Sequence, residues 1–303
     1  MRIIVIGKGG QIDTALQAFG DVAPGVEIVR LGRPDIDLSK PETLQAPIRA
    51  ARPDVIISSA AYTAVDKAES ESNLAQAVNG NGPGELARIS KSLNVPILHL
   101  STDYVFSGDK DDPYVETDMP APVSIYGKTK LSGERQIAAA TDNHVILRTA
   151  WTYSSYGDNF VKTMLRLAEN RDEINVVDDQ HGCPTYAPEI AHALVTVAQR
   201  VAADPDPALR GVFHLTGQGE TTWAEFAVAI LAGREARGGK PVKVNRITTD
   251  QYPTPAKRPA SSRLSGAKLQ AIYGLKLNPW RVSLDLCLDR LINSGSSDIR
   301  RRE

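Results

Sequence analysis

The chain has 303 residues, 42% of them hydrophobic and 23% charged, with a formal net charge of −1. That length suits one α/β domain carrying a smaller lobe, with ample apolar material for a core. The near-neutral balance gives no electrostatic reason for a nucleic-acid or anionic-membrane partner. Cys183 and Cys287 are too few for a disulfide framework and belong to no CxxC pair. The first apolar run stops at Gly7, too short for a signal-peptide core, and no stretch approaches eighteen uninterrupted apolar residues. A soluble, cytoplasmic protein with reduced thiols is expected.

Short β-branched runs then alternate with helical patterns. RIIVI (2–6), VEIVRL (26–31), DVIIS (54–58), VPILHL (95–100), HVILR (144–148) and INVV (174–177) predict strands, and VFHL (212–215) a seventh. Several are nearly continuous Ile, Val and Leu, the composition of parallel strands covered on both faces. ETLQAPIRAA, NLAQAVNGNGPGELARISKSL and KTKLSGERQIAAA predict helices between them. The alternation predicts an α/β fold, a doubly wound parallel sheet of Rossmann type. Beyond residue 150 the pattern loosens into helices near 158–171, 188–203 and 222–232, mixed with Pro-rich loops. The expected division is a dinucleotide-binding domain over 1–150, with the strands near 172–180 and 210–216. A substrate-binding lobe over 151–171 and 217–292 interleaves with it, and 293–303 reads as a flexible polar tail.

In such sheets ligands bind beyond the carboxyl ends of the strands, so the turns there carry the chemistry. GKGGQID follows the first strand and opens a helix. Its glycines let the backbone approach a pyrophosphate, and the helix N-terminus offers free N–H groups. The third position of that spacing, where a small residue is usual, is Asp13. The helix dipole favours an acid there, and its carboxylate is expected to point aside from the cofactor. Where NAD-binding proteins place an acid after the second strand, this chain has Arg30 and Arg33, which leans towards tolerance of NADPH. Two solvated arginines are the plain alternative.

YGKTK sets Tyr126 and Lys130 four residues apart, on one face of a helix. A nearby ammonium, joined by an oxidised nicotinamide, would lower the phenol's ordinary value near 10 and make it a usable acid or base. An exposed Tyr–Lys pair is the bland reading, outweighed by the position of this one between the fourth and fifth strands. HLSTDYVFSG brings Thr102 out at the carboxyl edge of the fourth strand. Together Thr102, Tyr126 and Lys130 form a set suited to carbonyl reduction. No GxSxG elbow occurs, His181 with Cys183 is too small a set for zinc, and Asp178–Asp179 reads as a strand-end turn. Phe226, Ile230 and Leu231 read as core.

GKGGQ, SSAAYTAVDKAES, LSTDYVFSG, YGKTKLSGE, LRTAWTYS, DDQHGCPT, TTWAEFA and TPAKRPASSRL together resemble the dTDP-4-dehydrorhamnose reductases in order and spacing. These are extended short-chain dehydrogenase/reductases, and the resemblance runs from residue 1 to about residue 292. It implies NADPH or NADH as cofactor and a dTDP-4-keto-sugar as substrate. The reaction implied is reduction of the C4 ketone of dTDP-4-dehydro-6-deoxy-L-mannose to dTDP-L-rhamnose. Alternatives are another nucleotide-activated 4-keto-6-deoxy sugar or a non-catalytic regulatory subunit, against which the intact Thr102–Tyr126–Lys130 set counts.

The resemblance also implies roles. Tyr126 would donate the proton, and Lys130 would support it and grip the nicotinamide ribose. Thr102 would contact the sugar carbonyl beside Asp103, and Trp151 would line the sugar pocket. Gly7, Gly10, Gln11 and Ile12 would meet the pyrophosphate. Arg33 would lie at the 2′-position of the adenosine, Asp37 and Leu38 would flank the adenine, and Ala61, Tyr62 and Thr63 would cover the cofactor. Arg258 would meet the substrate's diphosphate. Some related reductases pair through acidic residues and a metal, but Ala15 offers no carboxylate for such a bridge. No metal is expected, and homodimerisation stays open.

Overall fold

The computed structural model describes residues 1–299, with side chains described through residue 292. Strands β1 (Arg2–Ile6), β2 (Glu27–Leu31), β3 (Val55–Ser58), β4 (Ile97–Thr102) and β5 (His144–Thr149) join the strand Gly211–His214 in one sheet. All pairings are parallel, and the order is Gly211–His214, β5, β4, β3, β1, β2. Strand order reverses between β1 and β3, so a crevice opens beyond their carboxyl ends.

Burial on both faces explains the unbroken Ile/Val runs. Ile3, Val5, Ile57, Leu98, Val145 and Leu147 share one core with α1 (Gln11–Gly20) and the helix Ala187–Ala203. The alternate residues Ile4, Ile6, Ile56, Ile97 and Ile146 face a second core with Ile48, Leu86, Ile89 and Ile137. Those partners sit on the helices Gln45–Ala51, Gly82–Leu93 and Ile125–Ala140.

The strand expected over 174–177 forms, as Glu173–Val177, but outside this sheet. It pairs in parallel with Lys243–Ile247, a strand with no counterpart in the sequence reading. The residues explain why: Ile174 and Val176 are buried while Glu173 and Asn175 are exposed, so only one face is covered. A central strand of a doubly covered sheet would bury both. The segment near 172–180 therefore sits with a third core rather than with the dinucleotide-type sheet. That core joins Tyr153, Met164, Ile174, Val176, Phe226 and Trp280, and the helix Trp223–Glu235 buries Ile230 and Leu231 in it.

The final helix, Trp280–Ile299, runs into the stretch expected to be a tail; residues 300–303 lie outside the described residues. Among the described residues, no helix is long and apolar enough to cross a membrane. Cys183 and Cys287 are both buried and unpaired.

Candidate active site

The helix carrying Tyr126 starts where Ser124 accepts a hydrogen bond from the Gly127 amide at 3.2 Å, an N-cap that frees no stray donor. Gly127 is needed because a Cβ there would overlap the Tyr104 carbonyl oxygen. The helix therefore packs directly on the turn that follows β4. The Ile125 amide also donates to Glu69 Oε1 at 2.8 Å, tying the AVDKAES segment to the same helix start.

Thr102, the last residue of β4, is buried beside Asp103. Its hydroxyl accepts from the Tyr104 amide at 3.2 Å and donates to Asp103 Oδ1 at 2.9 Å. Tyr104 meets Tyr126 edge-on, with ring centroids 5.8 Å apart. Burial pushes the Asp103 carboxyl up to about 6, against the hydrogen bonds that favour its charged form. Burial likewise pushes the Tyr126 phenol up to about 12; the Thr102 hydroxyl pulls it down and the Asp103 charge pushes it further up.

In the chain by itself, Lys130 does not offset this burial. Lys130 does share the helix, but its ammonium is 2% exposed and turned to the sheet. There Nζ donates to the Leu100 carbonyl at 2.7 Å and lies 3.1 Å from His99 Nε2. A strand-end carbonyl captures it, so desolvation rather than an ammonium governs Tyr126. Burial also draws Lys130 down to about 8. A phenol held protonated is a proton donor at neutral pH, which is the half of acid–base chemistry a reduction needs.

Sequence reading missed three buried polar residues behind this set. His99 faces Ser58 in the β3–β4 register, and His99 Nδ1 lies 3.0 Å from Ser58 Oγ. Burial first, then the Lys130 charge, holds His99 well below its ordinary value, so it stays neutral and accepts from the ammonium. A histidine amid the apolar ILHLST run was the available signal. The third is Asn79. The stretch expected as one helix over 73–93 widens into a π turn over Ala77–Asn81, a feature frequent at functional sites. From it Asn79 accepts from the Tyr62 amide at 2.7 Å, and donates to the Tyr62 carbonyl at 3.1 Å and to Thr129 Oγ1 at 3.2 Å. It thus clamps the Ala61–Tyr62–Thr63 loop, which follows β3, to the Tyr126 helix. Tyr62 donates its hydroxyl to Glu71 at 2.7 Å.

At the opening turn, Gly7 sits at φ 154°, which L side chains rarely adopt, and a Cβ there would lie 2.8 Å from Ser59 Oγ. No side chain caps the first amides of α1, and such uncapped amides fit a pyrophosphate. Asp13 folds back onto its own turn. It is 3% exposed, Oδ1 accepting from the Gly10 amide at 2.6 Å and Oδ2 from the Gly9 amide at 2.7 Å. Oδ2 also pairs with Arg30 Nη1 at 3.4 Å. An acid at the third helical position reaches back to the N-cap amide, the reciprocal half of a capping box.

Around the turn, Gln11 is committed sideways, its Oε1 accepting from Ser154 Oγ at 2.7 Å and Asn159 Nδ2 at 3.1 Å. Ile12 packs on the core, Arg33 is exposed and Leu38 is buried against Gly82. The Asp37 carboxylate accepts from both the amide and the hydroxyl of Ser39, which holds it below the usual range.

Trp151 follows the end of β5, and Arg258 reaches in from the segment after the strand Lys243–Ile247. Trp151 sits at φ 44°, a backbone conformation that bulky residues rarely adopt. It stacks on Trp223, centroids 3.5 Å apart and rings 4° from parallel, a partner sequence reading did not single out. The indole lies over Gly182, where any Cβ would overlap it. Arg258 pairs with Asp66 at 3.0 Å, and its charge tempers the upward shift that burial gives the Tyr104 phenol, while its segment is pinned by Ser261 N to Gly108 O at 3.1 Å and Ser262 N to His181 O at 2.8 Å. Gly182→Ala is expected to displace the Trp151 ring and cost about 1–3 kcal/mol of stability. The exciton signal of the stacked indoles in far-ultraviolet circular dichroism checks it; an unchanged signal would show that the ring is not held by Gly182.

Comparison with known proteins agrees over the whole length. A family model described as the RmlD substrate binding domain matches residues 1–293. A dTDP-4-dehydrorhamnose reductase of Sinorhizobium fredii is 52% identical over 283 residues, 93% of this chain and 95% of that protein. A crystal structure of a dTDP-4-dehydrorhamnose reductase from Clostridium acetobutylicum superposes with TM-score 0.89 at 36% identity, covering 96% of this chain and 99% of that one. Another from Bacillus anthracis, in complex with NADP, has TM-score 0.87 at 33% identity, covering 94% and 98%.

Proposed function

The chain belongs to the dTDP-4-dehydrorhamnose reductase family, and from that membership we propose that Tyr126, Thr102 and Lys130 serve the NAD(P)H-dependent reduction of a dTDP-4-keto-sugar. The substrate is dTDP-4-dehydro-6-deoxy-L-mannose and the product dTDP-L-rhamnose. The observation that carries the assignment is the placing of a half-buried Tyr126, packed edge-on to Tyr104, beside the Thr102 hydroxyl at the carboxyl end of β4, with desolvation pushing its phenol up to about 12.

The nicotinamide, when bound, supplies the hydride. The chain's own residues handle the oxygen. Negative charge grows on the C4 oxygen, and a donor aimed there stabilises the transition state more than the ketone. Tyr126 donates its hydrogen bond and then its proton to that oxygen. Thr102 has one proton, directed at Asp103, so it must swing to join in; Tyr126 is the principal donor. Lys130, held by Leu100 and His99, lends a positive charge near the reacting centre and must turn from the Leu100 carbonyl to grip the ribose. Gly7, Gly10, Gln11 and Ile12 bind the pyrophosphate. Asp37 and Leu38 flank the adenine, Arg33 stands at the adenosine end, and the Asn79-clamped loop Ala61–Thr63 covers the cofactor. The six-stranded sheet is the cofactor layer, and the third core, with Tyr153 and Phe226, carries Trp151 to the sugar. Arg258, near Tyr104, takes the diphosphate. The reaction runs in the cytoplasm, where the two buried thiols stay reduced.

The test supplies the dTDP-4-keto-sugar with NADPH or NADH, follows loss of cofactor absorbance and identifies the sugar formed. Formation of dTDP-L-rhamnose is expected; an unoxidised cofactor or a different sugar overturns the reading. Repeated across pH, the rate is expected to hold below pH 8 and fall above it. The Lys130 charge is present below its value of about 8 and lost above it, whereas Tyr126 keeps its proton to about 12. A rate level to pH 10 would remove the Lys130 charge from the reaction.

A further inference from the structure

We propose that Asp13 gives this reductase a preference for NADH over NADPH, standing in for the acid that the end of β2 lacks. The inference rests on the reading of GKGGQID as the dinucleotide turn. In such folds the adenosine ribose lies between that turn and the end of the second strand, where an acid accepts the 2′-hydroxyl or an arginine accommodates a 2′-phosphate. β2 reads EIVRL, and its basic residue is Arg30. On sequence alone that favours the phosphate.

The contacts oppose it. Arg30 Nη1 is already paired with Asp13 Oδ2 at 3.4 Å. The Gly9 and Gly10 amides, successive N–H groups of the kind that cradle phosphate, donate to the same carboxylate at 2.7 and 2.6 Å. One side chain from α1, anchored by two turn amides, thus occupies the guanidinium that a 2′-phosphate would need. It is 3% exposed, so water does little to screen it or to draw it away. A free 2′-hydroxyl can donate a hydrogen bond to such a carboxylate. A phosphate monoester brings roughly −1.5 to −2 charges against it.

Calorimetric titration of the full chain with ADP-ribose and with 2′-phospho-ADP-ribose tests this without catalysis. The wild type is expected to bind ADP-ribose on the order of 10-fold more tightly, about 1.4 kcal/mol. Asp13→Asn keeps an amide oxygen to accept a turn N–H and removes the charge; it should bring the ratio to about one or invert it, by tightening the phosphorylated ligand and weakening ADP-ribose by a few-fold. Adding Arg30→Ala to Asp13→Asn should cancel the gain for the phosphorylated ligand. Asp13→Gly serves as the second variant should the asparagine disturb the turn. Equal binding by the wild type, or a ratio unmoved in both variants, overturns the role of Asp13. Failure of both ligands to bind the wild type is a different result, and it overturns the dinucleotide turn as well.

Discussion

Tyr126→Phe is expected to lower kcat by roughly 10²–10³-fold, the loss seen when one donor to a developing oxyanion is removed, while cofactor affinity changes little. The substitution deletes one oxygen and leaves the ring. Its edge-on contact with Tyr104, 5.8 Å between centroids, survives because it needs no hydroxyl. Deleting a phenol that burial holds up to about 12 also relieves a desolvated polar group, so stability should hold or rise slightly. Steady-state kinetics beside calorimetric cofactor binding separates the cases. A variant with most of its turnover would take Tyr126 out of the mechanism; one that loses cofactor binding equally would make its role structural.

Glu134→Ala is expected to cost about 3–5 kcal/mol of stability, the usual penalty for removing one partner of a buried ion pair. Glu134 lies on the Tyr126 helix and Arg148 on β5, and their side chains are 5% and 4% exposed. They meet through two bonds, Nε to Oε1 at 3.0 Å and Nη2 to Oε2 at 2.7 Å. The guanidinium also lies 5.0 Å from the Phe106 ring centre, and its Nη1 already lacks a hydrogen-bond partner. Without Glu134 a buried cation would stand alone. The melting temperature should fall by roughly 10 °C. Replacing both partners, Glu134→Leu with Arg148→Met, should recover most of the loss, because apolar groups carry no such penalty. A single variant within 1 kcal/mol of wild type would refute the pair as a support of the catalytic helix.

The elements legible in the sequence were those whose pattern is local. Continuous apolar runs announced strands buried on two faces, and GKGGQ, STDYV and YGKTK announced the turns and helix face that bear the reacting groups. For the strand at 173–177 the alternation of Glu173, Ile174, Asn175 and Val176 was present in the letters. Its partner, 70 residues further on, was not, because Lys243–Ile247 is as polar as a loop and becomes a strand only through pairing. His99 and Asn79 stayed hidden for a related reason: each acts through partners 17 to 50 residues away, which the sheet register and the π turn bring close.

By itself, then, the sequence determined the sheet type, the cofactor turn, the Thr–Tyr–Lys set and the family, since each depends on residue type at fixed short spacing. Only the tertiary structure decided where the charges go. Lys130 turned to the Leu100 carbonyl, Tyr126 kept its proton through burial, and Asp13 bent back to two glycine amides and Arg30. Those outcomes depend on desolvation and on which acceptor lies within about 3 Å, and both are properties of neighbours that the chain assembles only when it folds.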